Sequence, residues 1–468
     1  MYLTLALIDI VTLIVSIIFV RKTGILTMLH PAPLYWCVHV YCFTARLFVL
    51  ASGAPTMPGF RGGITQDEIV RAALLADLSL VGLTVGWLCF SRWKGRVFNA
   101  VTVRVPSVPA RSAAWFAFVS CCLLVWAHAT RGYVLHPLYS PDLAHSTSSY
   151  LDCFLCLGML GLCLLHHVIG FPRLLTCLTG LVILFTGIDA ARFNLVVGSL
   201  LLYGTYASRK QIAWPSKRAL LVFGAVGILF LPLKTVTQAL REGSDFGTVV
   251  TETTYRMVHI VDLDKQDGDT QFLDMAASAI TLTDNAGKRA FGLPWLQIFT
   301  LPIPRQWWPE KPRVNEFMWS IETQDRPMGT MGMVPMLVGD GFMNFGTIGC
   351  FIVPFMVGIA SIRFYGFAMA RPHGSMERFL YLLFLAISIQ VYRDGVFSAL
   401  LFMIVVPYPL IVFYVVPHLL LRRRHRKHVR AAHPRLAQRE AAPTVGDGRG
   451  PCVKPRSFNA AFVGGGQR

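Results

Sequence analysis

Apolar residues fill this chain in long blocks, and short polar stretches between them hold most of the cations. The blocks run approximately over Tyr2–Val20, Leu34–Leu50, Ile69–Phe90, Ala113–Ala129, Tyr150–Ile169, Leu174–Ile188, Phe193–Ala207, Ala219–Val236, Phe345–Ile362, Phe379–Val391 and Val396–Val416. Most approach the ~20 residues that a helix needs to cross a bilayer. Inside lipid the backbone must satisfy its own hydrogen bonds, so the pattern predicts an all-α membrane helix bundle of roughly eleven spans. Tyr2–Val20 has no basic region before it and no small-residue cleavage site after it, so it reads as a first helix and not as a cleaved leader.

The cations in the short connections set the orientation. Arg21 and Lys22, the group from Arg92 to Arg111, Arg173, the group from Arg209 to Arg218, and Arg363, Arg371 and Arg378 alternate with loops poorer in cations. By the positive-inside rule the basic loops and the tail Arg422–Lys427 are cytoplasmic, and the N-terminus is outside. The loops near Ala51–Gln66, Thr130–Ser149, Gly187–Arg192, Gln238–Thr330 and Tyr392–Gly395 then share the outer face. Four regions follow: transmembrane helices over 1–237, a large extracytoplasmic loop over 238–330, further transmembrane helices over 331–418, and a basic cytoplasmic tail over 419–468. The tail is rich in Ala, Gly, Pro and Arg, reads as disordered, and suits acidic lipid headgroups.

Composition agrees with this placement. Hydrophobic residues make up 54% of the 468 residues and charged residues 15%, too apolar a balance for a water-soluble fold. The formal charge of +18 would suit nucleic acid, but its concentration in short loops and the tail argues for a membrane and against nucleic-acid binding. Ten of the 11 cysteines lie in or beside apolar runs, and the loop Gln238–Thr330 has none, so neither a disulfide framework nor a cysteine metal site is expected. The chain also lacks GxxxxGK[ST], HExxH, GxSxG and a dinucleotide-binding glycine fingerprint, which removes the simplest support for nucleotide-driven transport and for serine or zinc proteolysis.

Candidate chemistry gathers on the predicted outer face. Between two spans, Asp189, Arg192 and Asn194 place a carboxylate, a guanidinium and an amide at the mouth of the bundle, where charges face a cavity or one another. A structural Asp189–Arg192 pair accounts for them equally well. In Leu301–Asn315, Pro302, Pro304, Pro309 and Pro312 forbid a regular helix, while Trp307 and Trp308 suit headgroup depth. Arg305, Lys311 and Arg313 then sit at the height of lipid phosphates, and guanidinium forks match phosphate oxygens. A snorkelling aromatic-basic belt explains the tryptophans but not the stiffness of four prolines. Asp340 and Asn344 precede a span whose glycines allow close approach; Asp340 is the acid best placed to remove a proton, and capping of the following helix is the plainer role for either residue. Arg393 and Asp394 interrupt two apolar blocks as a pair that neutralises itself or serves a ligand. Arg241, Glu242, Arg256 and His259 rank lower. Arg46, Asp77 and Asp152 are scattered among the spans and form no matched halves of the transporter kind.

Three of these motifs together resemble the bacterial oligosaccharide repeat unit polymerases, also called O-antigen polymerases. They are the arginine-started helix Asp189–Tyr206, the run Pro304-Arg305 through Trp308-Pro309-Glu310-Lys311-Pro312, and Gly339-Asp340 through Asn344-Phe345-Gly346 with Gly349. The likeness covers roughly residues 187–395. The family often has Glu at the position of Asp340 and Tyr at that of Phe342. The resemblance implies a GT-C-like, metal-independent, inverting glycosyltransferase of the bacterial inner membrane, with no cofactor and an extracytoplasmic active face. It implies catalytic roles for Arg192, Arg305 and Asp340. Asp189, Lys311, Arg313, Asn344, Arg393, Trp307 and Trp308 would bind substrate. Donor and acceptor would both be undecaprenyl diphosphate-linked glycans, and a chain-length regulator and a flippase would be partners. An O-antigen ligase is the rival within this class, and a flippase of lipid-linked oligosaccharide the rival outside it.

Overall fold

The structure is a computed structural model that describes residues 1–56, 64–91, 108–131, 157–189, 192–221, 271–300, 306–311 and 334–405, with a few isolated positions besides. Helix accounts for 82% of it and no strand occurs among the described residues, so the fold is all-α. The helices are α1 Tyr2–Arg21, α2 Pro31–His39, α3 Ala45–Ala51, α4 Gln66–Ser91, α5 Ala110–Arg131 and α6 Leu157–Ile169. They continue as α7 Arg173–Asp189, α8 Arg192–Lys210, α9 Phe272–Ala286, α10 Leu293–Gln297, α11 Met336–Met369 and α12 Met376–Val405. Among the described residues, five helical runs are long and apolar enough to cross a membrane: Tyr2–Arg21, Pro31–Ala51, Gln66–Cys89, Met336–Met369 and Met376–Ser398. Three shorter apolar helices, Ala110–Trp126, Leu157–Ile169 and Arg173–Thr186, fall on predicted spans. Of the predicted span Ala219–Val236, residues 222–223 and 225–236 lie outside the described residues, as do Asp152 and the tail.

Local chemistry explains where several helices begin. Pro31 occupies the first turn of α2, where its missing N–H costs nothing, and His30 Nδ1 accepts from Ala32 N at 3.1 Å. Thr65 and Glu68 form a reciprocal capping box at the start of α4: Thr65 N donates to Glu68 Oε2 at 2.7 Å, and Glu68 N to Thr65 Oγ1 at 3.4 Å. A π-helical turn over Val40–Thr44 joins α2 to α3 within the second candidate span.

The core lies among α1, α2, α4, α9, α11 and α12, where Tyr35, Phe43, Leu80, Leu83, Trp87, Phe342 and Tyr392 are fully enclosed. Trp36 Nε1 donates to Ser16 Oγ at 2.9 Å, and Ser16 meets Thr84 at 2.7 Å, which ties α1, α2 and α4 together. The second half of α11 lies in close contact with α4, because Gly82 and Gly86 lie against the carbonyls of Phe351 and Phe355 where no β-carbon would fit. Leu7, Val11, Ile14 and Ile18 of α1 stay exposed, as a lipid-facing stripe requires.

Three features differ from the pattern of apolar blocks. The predicted outer loop over 238–330 contains α9 and α10, and Leu273, Ala276, Ala277 and Ile280 of α9 join the core. The blocks Phe379–Val391 and Val396–Val416 are not parted by a loop at Tyr392–Gly395; helix α12 continues through it and breaks only at Gly395 (φ 88°, ψ 177°). Tyr392 meets His39 and Arg393 lies beside Asp394 within the bundle. Finally, α11 starts at Met336, ahead of the predicted span, and breaks at Phe345 (φ −137°, ψ 17°) and Gly346 (φ 66°, ψ −153°). Its two halves double back on each other, with the Cys350 thiol directed at Val338 O at 3.5 Å. The glycines read as sites of close helix approach serve this fold-back, since Gly341 and Gly349 touch backbone to backbone.

Candidate functional site

Each helix break frees backbone groups: the Asp340 side chain satisfies one beyond Gly395, and backbone N–H groups of the 290–292 turn satisfy those at the α11 break. Beyond Gly395, Val396 N donates to Asp340 Oδ2 at 2.7 Å, so Asp340 caps the second half of α12. Asn344 Nδ2 reaches Asp340 Oδ1 at 2.9 Å and Asp340 O at 2.8 Å. Trp295 Nε1 of α10 is shared between both carboxylate oxygens at 3.3 Å. At the other break Ala290 N and Phe291 N donate to the carbonyls of Met343 and Asn344, and Gly292 N donates to Asn344 Oδ1 at 2.7 Å. Asp340 and Asn344, both buried, therefore lock two broken helices and the 290–292 turn into one unit. Capping is present as the sequence allowed, but Asp340 caps α12 and not its own helix.

A cation cluster adjoins the same motif. Arg71 Nη1 of α4 lies 2.6 Å from Asp284 Oδ2, and Arg289 Nη2 lies 2.7 Å from Asp284 Oδ1. Both guanidinium groups also lie over the Phe342 ring, at 5.0 Å and 4.8 Å from its centroid. Such contacts are worth about 0.5–2 kcal/mol each. Burial pushes the Asp284 carboxyl up, but the hydrogen bonds and charges of Arg289 and Arg71 outweigh it and hold the group below its ordinary value. Two guanidiniums share one carboxylate here, which leaves a surplus positive charge on partly exposed side chains.

The other predicted residues divide into three groups. Asp189 ends α7 and Arg192 opens α8; their side chains lie outside the described residues, as do Arg305 and Arg313. Lys311 is 9% exposed and its ammonium donates to Ile303 O at 3.0 Å within its own loop. Trp307 is 80% exposed and Trp308 38%. Arg393 sits two residues before the α12 break, 3.4 Å from Asp394 Oδ1 and over the Phe272 ring, which is the neutralising pair the sequence allowed. Of the predicted set, the structure joins Asp340 and Asn344 directly. Arg241, Glu242, Arg256 and His259 lie outside the described residues.

Sequence reasoning passed over Arg71, early in α4, Asp284, near the end of α9, and Arg289, just beyond it, which look like ordinary surface charges. It also treated Arg46 and Asp77 as scattered. Arg46 instead forms a double hydrogen bond with Asp274, 3.0 Å from Nε to Oδ1 and 2.7 Å from Nη2 to Oδ2, with both side chains almost wholly buried. Asp77 meets Asp9 and His39. The signal that could have found these was an ionisable residue inside an apolar block, because such residues seek one another. Comparison with family models, with characterised proteins and with solved structures finds no match to this chain.

Proposed function

We propose that this chain is a glycosyltransferase of the bacterial inner membrane that polymerises undecaprenyl diphosphate-linked oligosaccharide repeat units on the extracytoplasmic face. The observation that carries the reading is the Arg71–Asp284–Arg289 cluster beside Phe342, at one of the three motifs that resemble the polymerases. Its surplus charge suits a diphosphate, whose negative charge grows as the bond to the sugar breaks, and fixed cations stabilise that growth. Arg192, Arg305, Lys311 and Arg393 are further cations for the same group, through the resemblance.

In the reaction, an acceptor hydroxyl attacks the anomeric carbon of the donor glycan and the carbon–oxygen bond to the diphosphate breaks with inversion. The hydroxyl proton passes to a base, for which Asp340 is the candidate. Its donors Val396 N and Asn344 Nδ2 hold it at 2.7 and 2.9 Å, whereas the shared Trp295 contact is longer at 3.3 Å. A substrate hydroxyl would replace that longest contact.

The test is the size distribution of undecaprenyl diphosphate-linked glycans in cells lacking the gene and then restored. Single repeat units should become a ladder with the wild-type chain, and remain single with a folded Arg71→Ala/Arg289→Ala variant. An unchanged ladder in the deletion would refute polymerisation, and accumulated long polymer would favour a ligase. One observation favours a transporter instead: two broken helices near buried ionisable residues are a common transporter device. Single units trapped on the cytoplasmic face would support that second reading.

A further inference from the structure

Asp9 of α1, His39 of α2 and Asp77 of α4 offer one ligand atom each, all within 4.8 Å of one another. His39 Nε2 touches Asp9 Oδ1, Thr44 donates to Asp9 Oδ2, and the Tyr392 hydroxyl of α12 meets the other ring nitrogen, His39 Nδ1. Asp9 and His39 are buried, and Asp77 is half-buried, with an Oδ1 that is itself enclosed and meets no hydrogen-bond partner. All three residues stand inside runs apolar enough to cross a membrane.

Carboxylates in such surroundings are paired with cations or coordinate metals. Arg46, Arg71 and Arg393 do not neutralise this pair, since each has a carboxylate of its own in Asp274, Asp284 and Asp394, and His39, ion-paired with Asp9 when protonated, balances one of the two carboxylates. We propose that Asp9, His39 and Asp77 form a binding site for a divalent first-row cation of the Zn2+ or Mn2+ class. A dication balances the two carboxylates. The mixed set of one imidazole nitrogen and two carboxylate oxygens suits these metals better than an all-oxygen cation such as Ca2+. A bound cation would displace the proton that His39 Nε2 and Asp9 Oδ1 share; with the Nδ1 proton donated to Tyr392 Oη, the Nε2 lone pair would then face the cation, and Tyr392 serves as the positioning residue of the imidazole ligand. The site is independent of the glycosyl-transfer reading and stands or falls without it.

The experiment uses the full-length protein in detergent, stripped with chelator and then equilibrated with Zn2+ or with Mn2+. Elemental analysis should find one equivalent of one of the two per chain. Asp77→Asn and His39→Gln should weaken binding at least tenfold, Tyr392→Phe by roughly 10- to 100-fold, and Asp284→Asn should leave it unchanged. Electron spin echo spectra of the Mn2+-loaded wild type, if Mn2+ is retained, should show coupling to an imidazole nitrogen, a reading that needs no variant to fold. Wild type that retains neither metal above a buffer blank would overturn the site, as would folded Asp77→Asn and His39→Gln proteins that hold as much metal as wild type. Either result would leave the cluster a network of shared protons.

Discussion

Two carboxylates show how much position decides about a side chain. Asp340 is surrounded by donors: Val396 N, Asn344 Nδ2 and Trp295 Nε1 all end on it. Asp340→Asn replaces an ionised acceptor with a group that must turn an N–H toward one of these donors. Losing a hydrogen bond to a charged group costs about 1.5–3 kcal/mol, so the melting temperature in detergent should fall. An unchanged melting temperature would remove the anchoring role. Asp284 behaves differently, because Arg289 and Arg71 hold its carboxyl below the ordinary value despite partial burial. The folded state therefore gains stability from this group above the unfolded carboxyl value, and loses it as pH falls through the folded one. The gap in melting temperature between wild type and Asp284→Asn should be open near neutral pH and close on acidification; a gap indifferent to pH would contradict the pairing. The sequence marked Asp340 and Asn344 because a motif surrounds them. Asp284 went unmarked because its arginines come from positions that no local pattern links to it.

At the scale of elements, the breaks in α11 and α12 do the most to shape the site. At Gly395 the backbone has φ 88°, and an added β-carbon would stand 2.8 Å from Asp340 Cβ. Gly395→Ala should cost roughly 1–3 kcal/mol of strain, and more if Asp340 is displaced. Gly180→Ala in α7 meets nothing within 4 Å and should be neutral or gain up to about 1 kcal/mol from helix propensity. Equal effects of the two substitutions on thermal stability would show that the break is not held as described. Helices themselves were legible, since a block of apolar residues has few other options in lipid. The breaks were not: Tyr392–Gly395 and Phe345-Gly346 carry the same polar and glycine signs as a surface loop. Only the partners supplied by Asp340 and the 290–292 turn let them stay within the bundle.

Across the whole molecule, the all-α class and the long apolar helices Tyr2–Arg21, Pro31–Ala51 and Gln66–Cys89 follow directly from the hydropathy pattern, whereas the bounds of α11 and α12 and the role of residues 271–300 do not. Helix α9 carries Phe272 beneath Arg393, Asp274 against Arg46 and Asp284 between Arg71 and Arg289. A segment that looks like a polar excursion is thus a tie across α3, α4 and α12. Composition could not reveal this, because α9 has too few apolar residues to count as a span and its partners lie far away along the chain. The Arg46–Asp274 pair, 228 positions apart, also sets a timetable for biosynthesis. At about 5–20 residues per second, the ribosome reaches Asp274 some ten to forty-five seconds after Arg46 has been made. During that interval the nascent chain holds an arginine destined for the dry interior without its counter-charge. Insertion of the early helices must stay provisional until α9 arrives, and a chain truncated before residue 274 would present membrane quality control with an unmatched charge.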